Sequence, residues 1–168
     1  AIGDEGARVM CTSEEGVKKT IGGVETSVID YSISLVGPGE NAKNIWKTCR
    51  KHGVKTLAKV QFNNTWECST VPYLPVVDLV EQHIQGIVDN KVDGLMIGWT
   101  LGGYPSMNLE VASQYYWTNG NPQDAIVSIF GDKAPVINKA TETFSKAFQN
   151  FPFHIGTLYK GPQHMGPS

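Results

Sequence analysis

A carboxylate beside an indole sets the chemistry to look for. Glu67 follows Trp66 in the run Lys59-Val60-Gln61-Phe62-Asn63-Asn64-Thr65-Trp66-Glu67-Cys68-Ser69, where a strand-like stretch of β-formers breaks into a polar loop. A helix signal, Pro75 followed by Val76-Val77-Asp78-Leu79-Val80-Glu81, comes soon afterwards. In a parallel α/β protein the loop between the carboxyl end of a strand and the next helix is where ligands bind, so Glu67 is the first candidate catalytic residue. Glu14, Glu15 and Asp30 also fall at, or point towards, the carboxyl ends of predicted strands. Two carboxyl groups about 5–10 Å apart hydrolyse a glycosidic bond, one as acid and the other as nucleophile or base. Glu14 is taken as the partner of Glu67, against the ordinary alternative that loop carboxylates are simply solvated.

The neighbours of Glu67 suit a sugar. Trp66 and Trp99 stand at strand ends, with Tyr73 and Tyr104 in the loops that follow, and the chain holds four Trp and six Tyr in all. Aromatic faces stack on the C–H groups of a pyranose while Gln61, Asn63, Asn64 and Asp30 offer hydrogen bonds to its hydroxyls. The competing reading packs the same rings beneath the following helices. Lys59 is expected to pair with Asp30, with a Schiff-base amine as the less favoured alternative.

Other chemistries lack a local motif. Cys11, Cys49 and Cys68 are odd in number and show no CxxC spacing, so they read as buried thiols rather than as a disulfide or zinc framework. His52, His83, His154 and His164 have no partner at a metal-like spacing, and no metal is expected. Gly37-Pro38-Gly39 and Gly102-Gly103 match no phosphate-loop or dinucleotide fingerprint, so they read as turns and no cofactor is expected.

The elements that must position these groups alternate. A strand is predicted at Arg8-Val9-Met10-Cys11-Thr12, then an acidic loop and a glycine-broken segment through Gly22-Gly23, then a second strand over residues 27–34. A helix follows from about Glu40 to His52, with Ala42, Ile45, Trp46 and Cys49 on one stripe and Gly53 at its C-cap. The unit repeats as a strand over 54–62 and a helix from Pro75 to about Asn90. It repeats again as a strand over 94–99 and a short helix over about 108–116. This rhythm predicts a parallel sheet with right-handed crossovers. After Gly120 it stops: helices start at Asn121-Pro122 and at Ala134-Pro135, the second carrying Val136, Ile137, Ala140, Phe144 and Phe148, before a Gly- and Pro-rich coil.

The strand faces narrow the fold. Asp30, Ser32 and Ser34 oppose Ile29, Tyr31, Ile33 and Leu35, while Lys59, Gln61 and Asn63 oppose Ala58, Val60 and Phe62. Strands covered by helices on both faces should be hydrophobic almost throughout, whereas one apolar and one polar face suit a barrel. The expected fold is therefore α/β, with residues 1–120 forming parallel βα units of a partial (β/α)8 TIM-type barrel and residues 121–168 forming C-terminal helices and a coil tail. Four units make half of such a barrel. The partner is then the missing half, another copy of the chain, or some other cover for the polar face.

Composition excludes several classes. The 168 residues fit one domain with a core of its own, and a charged fraction of 18% with a net charge of −2 leaves no basic block for nucleic acid. No apolar run reaches the length of a membrane span, and no signal segment opens the chain. A chain opening on Ala1 reads as a processed or excised piece, so no localisation is inferred.

Three runs carry a resemblance: residues 58–69; Gly94-Leu95-Met96-Ile97-Gly98-Trp99-Thr100-Leu101-Gly102-Gly103-Tyr104-Pro105; and Tyr159-Lys160-Gly161-Pro162-Gln163-His164-Met165-Gly166-Pro167. Together they resemble the C-terminal part of a poorly characterised group of glycoside-hydrolase-like proteins with a TIM-barrel domain. The resemblance implies that the βα units are the last of the barrel and that the helices beyond Gly120 begin the region after it. It supplies no catalytic pair, so Glu67 and Glu14 rest on local chemistry. The expected function is glycoside hydrolysis on a carbohydrate partner, with a non-catalytic carbohydrate-binding or interaction module and a lyase or aldolase-type barrel using Lys59 as the alternatives.

Overall fold

A computed structural model describes residues 2–3, 17–28, 33–60, 62–63, 71, 73–97, 104–118 and 120–151. The fold follows from the alternation along Leu57–Val60 (β4), where Ala58 and Val60 are buried on one face and Leu57 and Lys59 lie on the other. β4 is the centre of a three-stranded parallel sheet, flanked by Ile2–Gly3 (β1) and Gly94–Ile97 (β5). The register sets Leu57 beside Gly94, Ala58 beside Leu95, Lys59 beside Met96 and Val60 beside Ile97. The Leu57 side chain lies over Gly94 so closely that a Cβ there would meet its Cδ2 at 2.3 Å.

Helices cover the face of Ala58 and Val60. Glu40–Lys51 (α1) brings Trp46, and Val77–Asp89 (α2) brings Leu79, Val80, Ile84 and Ile87. Met107–Ser113 (α3) brings Ala112 to the same cluster before the chain winds into a π-helical turn, Gln114–Thr118. Each fully buried aliphatic side chain contributes about 1.5–3 kcal/mol, so this face dominates the stability of the unit. On the opposite face Leu57 is 48% and Met96 59% exposed. The described residues are thus a mixed α/β fold with a short parallel sheet, covered by helices on one face only, and within them the sheet does not close into a barrel.

The remaining elements extend the helical layer. Pro122–Phe130 (α4) and Ala134–Phe148 (α5) pack on α2 and α3 through a second cluster of Val77, Val111, Ala125, Ile126 and Ala134. The apolar residues of α5 do not all face inward, as their spacing suggested. Val136 is 63% and Phe144 53% exposed, Ala140 is exposed too, and the buried stripe is Ala134, Thr141, Ser145 and Phe148. Small side chains let the helices approach closely enough for the Ser145 hydroxyl to accept a hydrogen bond from the Asp78 amide at 3.3 Å. On α1, likewise, Ala42 and Trp46 are buried while Ile45 is exposed and Cys49 half-buried.

The amino-terminal region departs from the expected alternating pattern. Val17–Ile21 (β2) and Val24–Val28 (β3) form an antiparallel hairpin, where a glycine-broken segment and the start of a second strand over 27–34 were expected. Gly22 and Gly23 have φ of 57° and 81°, the positive pair that a two-residue turn between twisted strands requires. Ile33 and Ser34 lie in a turn and are both buried, so they do not alternate across a sheet. The predicted strand at residues 8–12 lies outside the described residues.

The amino ends of β4 and β5 are joined by a carboxylate. Asp93 Oδ1 accepts from Lys55 Nζ at 2.8 Å, and Oδ2 accepts from the Thr56 amide at 2.8 Å and its hydroxyl at 3.0 Å. The Lys55 hydrogen bond, followed by that from the Thr56 backbone, lowers the Asp93 carboxyl to about 2. A carboxyl lowered by folding adds stability above its unfolded value near 4 and loses that contribution as pH falls through about 2. Asp93→Asn is therefore expected to lower the urea midpoint at pH 7, with the gap from wild type narrowing between about pH 4 and pH 2. A gap independent of pH would show that the ionised group does not supply the stabilisation.

Candidate functional site

The carboxyl ends of β4 and β5 lead into the connections that carry most of the candidate residues. β4 passes into a turn at Phe62 and Asn63, and α3 begins after Ser106, whose hydroxyl accepts from the Leu109 amide at 3.2 Å. This N-cap fixes where the connection from β5 enters its helix. Phe62 is buried edge-on to His83 of α2, with ring centroids 5.4 Å apart.

Two buried amides tie these connections together. Asn108, fully buried in the first turn of α3, donates through Nδ2 to the carbonyl of Phe62 at 2.9 Å and to that of Leu74 at 2.7 Å. Asn63, also fully buried, donates through Nδ2 to the carbonyl of Tyr104. Asn108 thus holds both flanks of residues 63–73, while Asn63 links that connection to the one following β5. Buried carbonyls need such donors, because an unpaired polar group costs about 1–3 kcal/mol.

Of the residues expected in or beside the site, Asn63, Tyr104 and the half-buried Tyr73 are described. Tyr104 is exposed and can offer its ring to a ligand. The Asn63 side chain is enclosed, and its amide holds a backbone carbonyl instead of standing open to a sugar. Glu67, Glu14, Trp66, Trp99, Asn64, Gln61 and Asp30 lie outside the described residues. Lys59 is half-buried on the face shared with Leu57 and Met96. Asn108 and Ser106 were missed as positioning residues. The Ser106 signal was legible in a small hydroxyl residue three positions ahead of Leu109, whereas the contacts of Asn108 are made 34 and 46 residues away.

A second concavity lies between α2, α4 and α5. Its volume is about 580 Å³, and Asp78, Glu81, Gln123, Asn138, Lys139 and Glu142 are among its lining residues. Glu81 accepts from the Tyr115 hydroxyl at 2.9 Å; burial first, and this bond next, push that phenol up to about 12. A smaller, mostly apolar recess of about 270 Å³ runs beside β5, with Leu57, Leu95, Ile97, Ala112 and Tyr116 in its wall. Among the described residues no cluster of three His, Cys, Asp or Glu is arranged to hold a metal, and no helix is long and apolar enough to cross a membrane. His83 is a core residue, and His52 is exposed at the end of α1.

The chain matches no protein-family profile, no curated protein and no solved structure. The described part of the strand-end site supplies an exposed aromatic ring and two amides that position backbone.

Asp78 provides a test in the second concavity. Burial, and then Glu142, raise its carboxyl above the ordinary carboxylate value. A carboxyl raised by folding favours the folded state only while protonated, so ionised Asp78 costs stability above about pH 4. Asp78→Asn is expected to raise the urea midpoint at pH 7 and leave it unchanged near pH 3. A lower midpoint at pH 7 would mean that the negative charge in the first turn of α2 outweighs its desolvation.

Proposed function

We propose that the chain is a glycoside hydrolase, or the strand-end portion of one, acting on a carbohydrate at the carboxyl ends of its parallel strands. The observation that carries this reading is the pair of amide ties from Asn63 to Tyr104 and from Asn108 to Phe62 and Leu74, which anchor adjacent βα connections at one end of the sheet. Adjacent connections at that end are where α/β enzymes assemble a site. Trp66 and Glu67 belong to the first connection, Trp99 and Tyr104 to the second.

In this proposal Glu67 and Glu14 are the acid and base pair, and Trp66, Trp99 and Tyr104 stack on the sugar. Gln61, Asn64 and Asp30 hydrogen-bond its hydroxyls, while Asn63 holds the connections in place. The parallel strands are proposed to form part of a (β/α)8 barrel. Helices on one face and an open face carrying Leu57, Lys59 and Met96 support that arrangement. The rest of the barrel, or a second copy of the chain, would then cover the open face and continue the sheet beyond β5.

Turnover of a panel of p-nitrophenyl glycosides tests the reading. Glu67→Gln is expected to lower kcat by about a hundredfold or more, the usual contribution of a positioned acid or base, with Glu14→Gln reducing it similarly. Unchanged turnover in Glu67→Gln would remove this residue from the mechanism. Sugar binding without turnover in wild type, surviving both substitutions, would instead identify a non-catalytic carbohydrate-binding module.

A further inference from the structure

The placement of Asn108 is costly unless it performs a task. An amide at a fully buried position in a helix loses its water, and the neighbouring clusters show that the space around it accepts apolar side chains. Its donors do not serve its own helix. Both Nδ2 hydrogens go to carbonyls distant in the chain, those of Phe62 and Leu74, while Oδ1 accepts no hydrogen bond from the described residues. A side chain that leaves its acceptor unmatched in order to place both donors specifies a geometry more than it adds stability.

That geometry spans two connections. Phe62 closes β4, Leu74 precedes α2, and Asn108 itself opens α3, so one side chain sets the mutual positions of three elements at the strand-end site. Asn63, next to Phe62, carries the constraint on to Tyr104, and Ser106 caps α3 two residues before Asn108. The loop reaching α3 from β5 is therefore held at Tyr104 by one amide and at its helix start by a hydroxyl. The flanks of the loop reaching α2 from β4 are held by the other amide.

We infer that Asn108 is a positioning residue of the strand-end site, acting through Phe62, Leu74 and the adjacent Asn63 to Tyr104 bond to hold the two connections in one relative placement. This inference rests on the proposed location of the site. It predicts that the two connections loosen together when the clamp is removed, while the helical core beneath them does not. It also predicts a specific kinetic pattern, since a misplaced reacting group lowers kcat more than it weakens ground-state binding.

Hydrogen–deuterium exchange on the full chain tests the clamp without requiring a known substrate. In Asn108→Leu, exchange in residues 71–76 and 104–109 is expected to rise together by about tenfold or more, while residues 79–88 of α2 stay within about twofold of wild type. Asn108→Ser, which removes the amide with a smaller change, is expected to give the same paired rise and keeps the test decisive if Asn108→Leu fails to fold, whereas Asn63→Ala, which leaves both Asn108 bonds in place, is expected to loosen 104–109 alone. With the p-nitrophenyl glycosides, Asn108→Leu should lower kcat at least about tenfold and change KM by less than about twofold. In Asn108→Leu, a uniform rise across all three segments, a rise confined to one connection, or an unchanged kcat with both connections loosened would overturn the positioning role. Absence of turnover in wild type, with the expected exchange pattern intact, would instead defeat the glycosidase reading and leave the clamp standing.

Discussion

The parallel sheet and the helices that cover it depend on one short alternation, the burial of Ala58 and Val60 on a single face of β4. Those two side chains give the helices a surface to cover, and Trp46, Val80, Ile84, Ile87 and Ala112 converge on it from three helices. Since Leu57 and Lys59 lie on the other face, the helical layer is one-sided, and α4 and α5 extend it by packing on α2 and α3. The parallel direction of β4 and β5 then sends both following connections to the same end.

The two ends of the strand pair are secured by different chemistry, and solvent decides which. At the amino end Asp93 and Lys55 form an ion pair near water, where charge is inexpensive to maintain, and Thr56 donates two more hydrogen bonds to the ionised carboxylate. At the carboxyl end the fastening is enclosed, and an unpaired charge there would carry a large desolvation cost. Neutral amides serve instead, matching backbone carbonyls without introducing charge. Asn63 and Asn108 are thereby occupied within the scaffold, leaving exposed Tyr104 as the described candidate that can face a ligand directly.

Much of the helical layer was legible in the sequence because its signals are local. Pro122 after Asn121, Gly53 after α1 and the apolar spacing of Leu79, Val80, Ile84 and Ile87 place helix limits within about two residues of those observed. The buried face of β4 was legible from strict alternation. The hairpin was not, because Gly22-Gly23 was read as an interruption, although Gly-Gly between runs of β-formers is equally a hairpin signal. The apolar spacing along α5 did not show which face turns inward, where close helix packing buries Thr141 and Ser145 and leaves Val136 and Phe144 exposed. In the candidate site, Tyr104 and Asn63 could be named from their position after strands, but the bond between them joins residues 41 apart. No local spacing encodes such a contact, nor the reach of Asn108 across 46 residues.

The contact between Leu57 and Gly94 bears on how the chain selects its own alignment. A slide of β5 by one residue along β4 would set a side-chain-bearing neighbour where the Leu57 methyl now lies, and would turn Leu95 away from the helical layer. In the observed alignment the glycine leaves room for the Leu57 methyl. An error there would propagate to the far end, carrying Tyr104 out of step with Asn63 and separating two parts of the chain that are distant in sequence.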